Sequence, residues 1–357
     1  MIVKRIEKVL QELKNRGMEQ MVVTDPFAID YLIGKFISPG ERFLALYITA
    51  TGEHKLFVNR LFTVPEEFGM EKIWFTDTEN PISMLAKFVM EDKPLGIDKN
   101  MLAKFLLPLM DEAKASAYVN ASICVDNVRA LKDEEEKECM REASRINDAA
   151  MAKFKDCIKE GMTEVELSSQ FLDIYKSLGA DGFSFPPLVG FGESAAIGHY
   201  EGGEARLKKG DCVLIDVGCI KNGYCSDMTR TFFVGEVSDK HREVYEIVRK
   251  AQAAALAMIK PGVKFSDIDK TARDIITEAG YGPNFTHRLG HFIGREVHEY
   301  GDVSSTNQNL VKEGMTFSIE PGIYIEGDIG IRIEDLVLVT KDGVEILNSF
   351  PKELTVV

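Results

Sequence analysis

The sequence predicts an α+β chain of two unequal domains, a smaller α/β domain over residues 1–125 followed by a larger, internally duplicated one over 126–357. Three observations predict it. The 357 residues exceed what one ordinary core needs and fall short of three full domains. The first part alternates helical periodicity with short β-rich runs. The second part repeats itself, with carboxylates embedded at matching points of strand-like runs.

Composition supports large cores: 45% of residues are hydrophobic and 28% charged. No apolar run approaches the roughly 20 residues a membrane-spanning helix requires. The net charge of −14 repels phosphate backbones and anionic lipid surfaces, which argues against nucleic acid or membrane and for a small-molecule or peptide substrate. Six scattered cysteines without a CxxC pair read as reduced thiols of a cytoplasmic protein, each a small apolar side chain.

In the first domain, MIVKRIEKVLQELKNRG spaces its apolar residues three and four apart and predicts an N-terminal helix of the mature protein. MVVTD (21–25), FLALYIT (43–49) and KIWFTD (72–77) predict strands between Gly and Pro turns. The only histidine here, His54 in TGEHK, reads as a solvated side chain. Near residues 125–133 the chain enters VDNVRALKDEEEKECMREAS, a helix start whose acids complement the helix dipole. The DEEEK acids read as a solvated face.

The duplication is explicit. IKEGMTEVEL (158–167) recurs as IKPGVKFSDI (259–268), LKKGDCVLIDVG (207–218) as VKEGMTFSIEPG (311–322), and SDMTRTFFV (226–234) aligns with IEDLVLV (333–339). This places Asp216 in register with Glu320 and Asp227 with Glu334. An ionised acid buried without a partner costs several kcal/mol or more, so four acids on strands require cations. Arg230 and Arg332 lie in the same segments, and an arginine-paired structural network is one reading. A metal site is the stronger one, because THRLGHFIGREVHE (286–299) gathers His287, His291 and His298 out of six histidines in the chain. Carboxylates with imidazole suit Mn²⁺, Co²⁺, Zn²⁺ or Fe²⁺ rather than Ca²⁺.

IDVG with Asp216, SDMTRTF with Asp227, GHFIG with His291, SIEPGIY with Glu320 and IRIEDLV with Glu334 occur in an order that resembles the pita-bread metallopeptidases, the group of methionine aminopeptidase, aminopeptidase P, prolidase and creatinase. The resemblance covers the second half and implies a curved antiparallel sheet covered by helices. It implies two divalent ions, Mn²⁺ or Co²⁺ foremost with Zn²⁺ and Fe²⁺ as alternatives. Asp227 and Glu334 would bridge them, Asp216 would bind one, and His291 with Glu320 the other. A bridging hydroxide would be the nucleophile and Glu320 its proton shuttle. His199 and His298 match histidines that contact substrate and assist at the scissile carbonyl or leaving nitrogen. Arg332, on the strand face of Glu334, would orient it or hold substrate, with a salt bridge to Asp335 or Asp227 as the alternative. His287 would support the ligands from outside; His241 carries no functional claim. The paired prolines of FSFPPLVG (183–190) would shape a loop leading into the site.

The N-terminal domain resembles the creatinase and prolidase type, which implies Xaa-Pro specificity and a homodimer. Substrates would be small peptides with proline second. Asp302 stands where short prolidases carry an Arg that grips a dipeptide's carboxylate, and an acid there repels one. That favours an Xaa-Pro aminopeptidase acting on longer peptides, with an Xaa-Pro dipeptidase as the alternative and a metal-free binding module less favoured. Phe292, where the family usually has Gly, puts the size of the adjacent pocket in question.

Overall fold

The computed structural model describes the chain apart from residues 66–68, 198–199 and 201, so His199 lies outside the described residues. It divides into two compact units, Met1–Arg129 and Ala130–Val357.

In the first unit, α1 (Val3–Asn15) buries Ile6, Val9 and Leu13, the stripe its spacing predicts. Strands β1 (Gln20–Val23), β2 (Ala45–Thr49), β3 (Lys55–Asn59), β4 (Glu71–Phe75), β5 (Pro94–Ile97) and β6 (Ala117–Asn120) form one sheet in the order β4-β3-β2-β1-β5-β6. The pairs β3–β4, β1–β5 and β5–β6 are parallel, whereas β2 runs antiparallel to both its neighbours. Helix α2 (Pro26–Ile33) starts at Asp25, whose carboxylate accepts Ala28 N, and ends at Gly34 in the left-handed region that closes helices. Helices α3 (Pro81–Ala86), α4 (Ala103–Glu112) and α5 (Ile123–Ala130) complete the unit. His54 is buried rather than solvated. Its Nδ1 takes Thr49 N at 3.4 Å, and burial lowers its pKa.

The second unit opens on α6 (Glu134–Cys157), capped by Asp133 with a reciprocal Glu136 bond. Glu134 and Glu135 are solvated as expected; Glu136 is not, because it closes that capping box and accepts the Tyr224 hydroxyl at 3.0 Å. Helices α7 (Glu164–Ser168) and α8 (Phe171–Ser177) precede β7 (Gly182–Phe183) and β8 (Leu188–Phe191). Next come β9 (Cys212–Val217), β10 (Cys219–Lys221), β11 (Tyr224–Cys225) and β12 (Met228–Phe233), then α9 (Asp239–Met258) and α10 (Phe265–Glu278). The chain closes with β13 (Gly290–Phe292), β14 (Glu299–Val303), β15 (Thr316–Ile319), β16 (Gly322–Ile325), β17 (Ile329–Arg332), β18 (Asp335–Val339) and β19 (Val344–Ile346).

The duplication is visible in the sheets. Antiparallel β8-β9-β12 carries the first half of the repeat, and antiparallel β14-β13-β15-β18-β19 the second. Within each, one long hairpin-like pair recurs, β9 with β12 and β15 with β18. The halves are stitched where Glu334 N donates to Thr229 O at 3.1 Å and Thr231 Oγ1 donates to Arg332 O at 3.0 Å. Helices α9 and α10 cover the second half through Val244, Val248, Phe265 and Ile268, and α6 and α8 cover the first through Phe154, Phe171 and Tyr175. All six cysteines are free thiols. No described helix is long and apolar enough to cross a membrane.

Candidate metal centre

Each acid singled out in the sequence sits at a strand end, and the repeat makes the placements equivalent. Asp216 is the penultimate residue of β9 and Glu320 follows β15; Asp227 precedes β12 and Glu334 precedes β18. Antiparallel pairing of β9 with β12, and of β15 with β18, returns each pair of ends to one side of its sheet. Gly218 is required beside Asp227: a Cβ there would lie 1.9 Å from the Ser226 carbonyl.

Asp227, His291 and Glu334 are all buried, and each offers a ligand atom within 4.8 Å of the others. His291 Nε2 lies 3.5 Å from Asp227 Oδ2 and 3.6 Å from Glu320 Oε1. Ser318 joins two of these residues, since its hydroxyl accepts His291 N at 3.0 Å and donates to Glu320 Oε1 at 3.2 Å. Thr229 Oγ1 donates to Glu334 Oε2 at 2.7 Å and accepts Arg332 Nε at 3.1 Å. Arg332 reaches Asp216 Oδ2 at 2.5 Å and Tyr324 Oη at 2.7 Å, and His287 Nε2 stands 2.9 Å from that same hydroxyl. The salt bridge of Arg332 is therefore with Asp216, not with Asp335 or Asp227. Asp335 is taken by Arg230 instead, at 2.7 Å.

Burial and mutual repulsion dominate the electrostatics. Desolvation, then the neighbouring Asp216, pushes Asp227 well above the usual carboxylate range; desolvation, then Asp227, Glu320 and Asp216, does the same to Glu334. Desolvation pushes Glu320 up to about 7 although His291 and Arg332 oppose it. Burial lowers His291 and takes His287 down to about 4, with Arg332 adding to the latter. Burial opposes the charge of Arg332, yet Tyr324, Asp216, Glu320 and Glu334 hold it protonated well above the ordinary range.

One guanidinium does not satisfy this cluster. Among the described residues, Asp216 Oδ1, Asp227 Oδ1 and Glu334 Oε1 are buried without any hydrogen-bond partner. Buried carboxylate oxygens left unpaired are costly, and hard divalent cations are the partners that oxygen donors with one imidazole fit. The residues present therefore fit a metal site.

The remaining histidines separate. The exposed His298 ring stands edge-on to His291, centroids 4.2 Å apart. His241 pairs with Asp328 at 2.9 Å in the turn joining β16 and β17. The proline-bearing loop joins β7 to β8, where Leu188 faces Asp216 in register.

Phe292 does not narrow a pocket. It is 5% exposed and packs on Phe265 and Phe317 in the core, with centroids 5.3 and 5.6 Å away. Strand alternation sends it away from the face of His291. Its ring occupies the space over Gly301, which has φ +120° and where a Cβ would lie 1.6 Å from Phe292 Cδ2. Gly301→Ala is expected to destabilise the protein by at least about 2 kcal/mol through overpacking and backbone strain, read as a lower urea midpoint. Phe292→Gly in the same chain should relieve the clash part of that loss.

Residues 138–341 match the model of metallopeptidase family M24, and residues 5–131 match the creatinase/prolidase N-terminal domain. The chain belongs to metallopeptidase family M24. An uncharacterised peptidase of Staphylococcus aureus strain USA300 is 38% identical over 98% of this chain and 99% of its own length. A prolidase from Thermococcus sibiricus superposes with TM-score 0.95 at 34% identity, covering 100% of this chain and 99% of that one. An X-Pro aminopeptidase from Thermotoga maritima superposes with TM-score 0.84 at 30% identity, covering 97% and 100%. The pita-bread architecture with a creatinase-type N-terminal domain is thus the fold of this M24 peptidase.

The motifs of the sequence assign no role to Thr229, Ser318 or Tyr324. Tyr324 closes the SIEPGIY motif, and Thr229 sits two positions after Asp227, so alternation on the strand was the available signal for both.

Proposed function

We infer that this M24 peptidase hydrolyses the bond between an N-terminal residue and proline with two divalent ions, Mn²⁺ or Co²⁺. The observation that carries this is the set of three unpartnered buried carboxylate oxygens converging with His291 and Glu320. Asp216, Asp227, His291, Glu320 and Glu334 would hold the ions, which when bound would acidify a water and polarise the scissile carbonyl.

The chain's own groups do the rest. Arg332 fixes Asp216, Thr229 fixes Glu334 and Ser318 fixes Glu320, so the ligands are held before any ion arrives. Glu320 Oε1 or Oε2 holds the proton taken from the nucleophile and passes it to the leaving imide nitrogen. His298, exposed beside His291, donates to the developing oxyanion. His199 is assigned the same kind of contact from its motif alone.

The aminopeptidase reading rests on Asp302. It lies on β14 opposite His291 in register and accepts Ser304 Oγ at 2.9 Å, a carboxylate that repels the free carboxylate of an Xaa-Pro dipeptide. The dipeptidase reading is favoured by the likeness to a prolidase, the nearer of the two solved relatives above. Protein reconstituted with Mn²⁺ should release the first residue from Xaa-Pro-Yaa tripeptides and slow sharply with a chelator. Turnover of Xaa-Pro dipeptides with tripeptides untouched would replace the aminopeptidase reading with the second.

Metal removal has a signature in stability. Glu320 rises from its ordinary value to about 7 on folding, so the metal-free folded state binds more protons than the unfolded chain between about 4.3 and about 7. Its stabilising contribution is present below that window and is lost as pH rises through it. The chelated protein should melt at progressively lower temperature from pH 5 to pH 8. At one fixed concentration, Mn²⁺ should raise the melting point more at pH 8 than at pH 5, because the ligands bind it deprotonated; where it stands at 100 times its Kd it adds about 2.7 kcal/mol of stability. A flat metal-free profile would contradict the buried acid cluster.

A further inference from the structure

A buried ion pair of the second unit joins two side chains outside the five proposed ligands. Lys132 Nζ is 2.8 Å from Glu299 Oε2, with side-chain exposures of 1% and 5%. Stability explains such a pair poorly, because apolar residues of similar volume commonly serve as well or better. What the pair holds in place is a better explanation.

Glu299 opens β14 and directly follows His298. Its second oxygen, Oε1, accepts Arg295 N at 2.9 Å, and the carboxylate lies so close to Gly294 that a Cβ there would fall 2.5 Å from it. One carboxylate therefore gathers the start and the end of the 294–299 turn, within which Gly294 N donates to Glu296 O at 3.0 Å. Lys132 is itself fixed: its N donates to Gly314 O at 2.9 Å, and Gly314 N donates to Val339 O, at the end of β18, at 2.9 Å. The same strand begins beside Glu334. The turn so anchored presents the His298 ring edge-on to His291.

We propose that Lys132, acting through Glu299, is a positioning residue that fixes the His298-bearing turn against the metal centre. The ammonium orients the Glu299 carboxylate, the carboxylate holds the Arg295 amide and the bare Gly294 backbone, and the turn between them sets the imidazole. The proposal rests on the reading of His298 given above, and its test separates the two.

The test is a mutant cycle on full-length, Mn²⁺-loaded protein, with kcat, KM and bound metal measured on an Xaa-Pro substrate. Lys132→Met/Glu299→Gln should keep its metal and KM, while kcat falls by about 10–100-fold, the range for losing an outer positioning partner. Adding His298→Ala should lower kcat by no more than about twofold beyond His298→Ala alone, since both changes disable one group. Glu299→Asp keeps the charge but shortens its reach, and supplies a milder variant with the same expected fall should the double replacement not fold. A readout independent of turnover is the ¹⁵N-imidazole NMR signal of His298 in chelated protein. It should shift or broaden in these variants while that of His54, in the other unit, does not. Wild-type kcat in either folded variant, losses that multiply with His298→Ala, or an unmoved His298 signal would each overturn the proposal. Absent turnover in the wild type with a moved His298 signal would instead count against the peptidase reading alone.

Discussion

Asp227→Asn is expected to lower kcat by more than about 100-fold, beyond the range seen when only an outer hydrogen-bond partner of a ligand is lost. Asp227 is 3% exposed, and its Oδ1 has no hydrogen-bond partner among the described residues. The amide keeps the shape and removes the charge, so two divalent ions would face one carboxylate fewer. The same change has the opposite effect on the metal-free fold. Burial and the nearby Asp216 penalise the ionised Asp227, so the chelated variant should be no less stable than chelated wild type at pH 8. Loss of activity together with retained or raised metal-free stability marks a ligand. Loss of both would mark a structural residue, and unchanged kcat with full metal content would remove Asp227 from the centre.

Arg230→Met is expected to have the largest effect on stability, about 3–5 kcal/mol, because it breaks a buried pair from one side. The Arg230 side chain is 1% exposed and that of Asp335 is fully buried. The guanidinium also donates to the carbonyls of Thr229, Glu334, Pro351 and Phe350. It ties β12, β18 and the C-terminal segment together directly behind two of the acids. Burial alone would raise Asp335, but Arg230, Lys352 and Gln252 outweigh it and hold that carboxyl below its usual range. A carboxyl depressed on folding contributes stability that is present above its unfolded value, about 3.9, and is lost as pH falls through the folded value. The urea midpoints of Arg230→Met and wild type should therefore lie far apart at pH 7 and converge below pH 4. A gap that persists undiminished in acid would mean that the lost carbonyl bonds, not the ion pair, carry the effect.

The candidate metal centre was legible because the internal repeat writes itself twice. Asp216 with Glu320, and Asp227 with Glu334, stand at matching strand ends. His291 was legible from its Gly-punctuated segment. What the sequence hid was partnership across strands. Arg332 lies two residues before Glu334 on the chain but pairs with Asp216, on a strand of the other repeat, and its hydrogen bonds reach Glu334 through Thr229. Arg230, which looked equally available to the acids, points to the opposite face and serves Asp335. Polar flanks misled at His54, which the fold buries beside Thr49, and at Glu136, which the α6 capping box draws inward. Phe292 was readable in principle: the residue after an inward-facing histidine on a strand faces the other way.

Metal content decides whether these five side chains hold two divalent ions. Protein stripped with chelator, equilibrated with Mn²⁺ and freed of excess ion should carry two ions per chain by plasma mass spectrometry. Asp227→Asn and Glu334→Gln, which each remove a proposed ligand, should carry fewer. A wild-type chain that retains no ion, or variants that retain as many as wild type, would contradict the account.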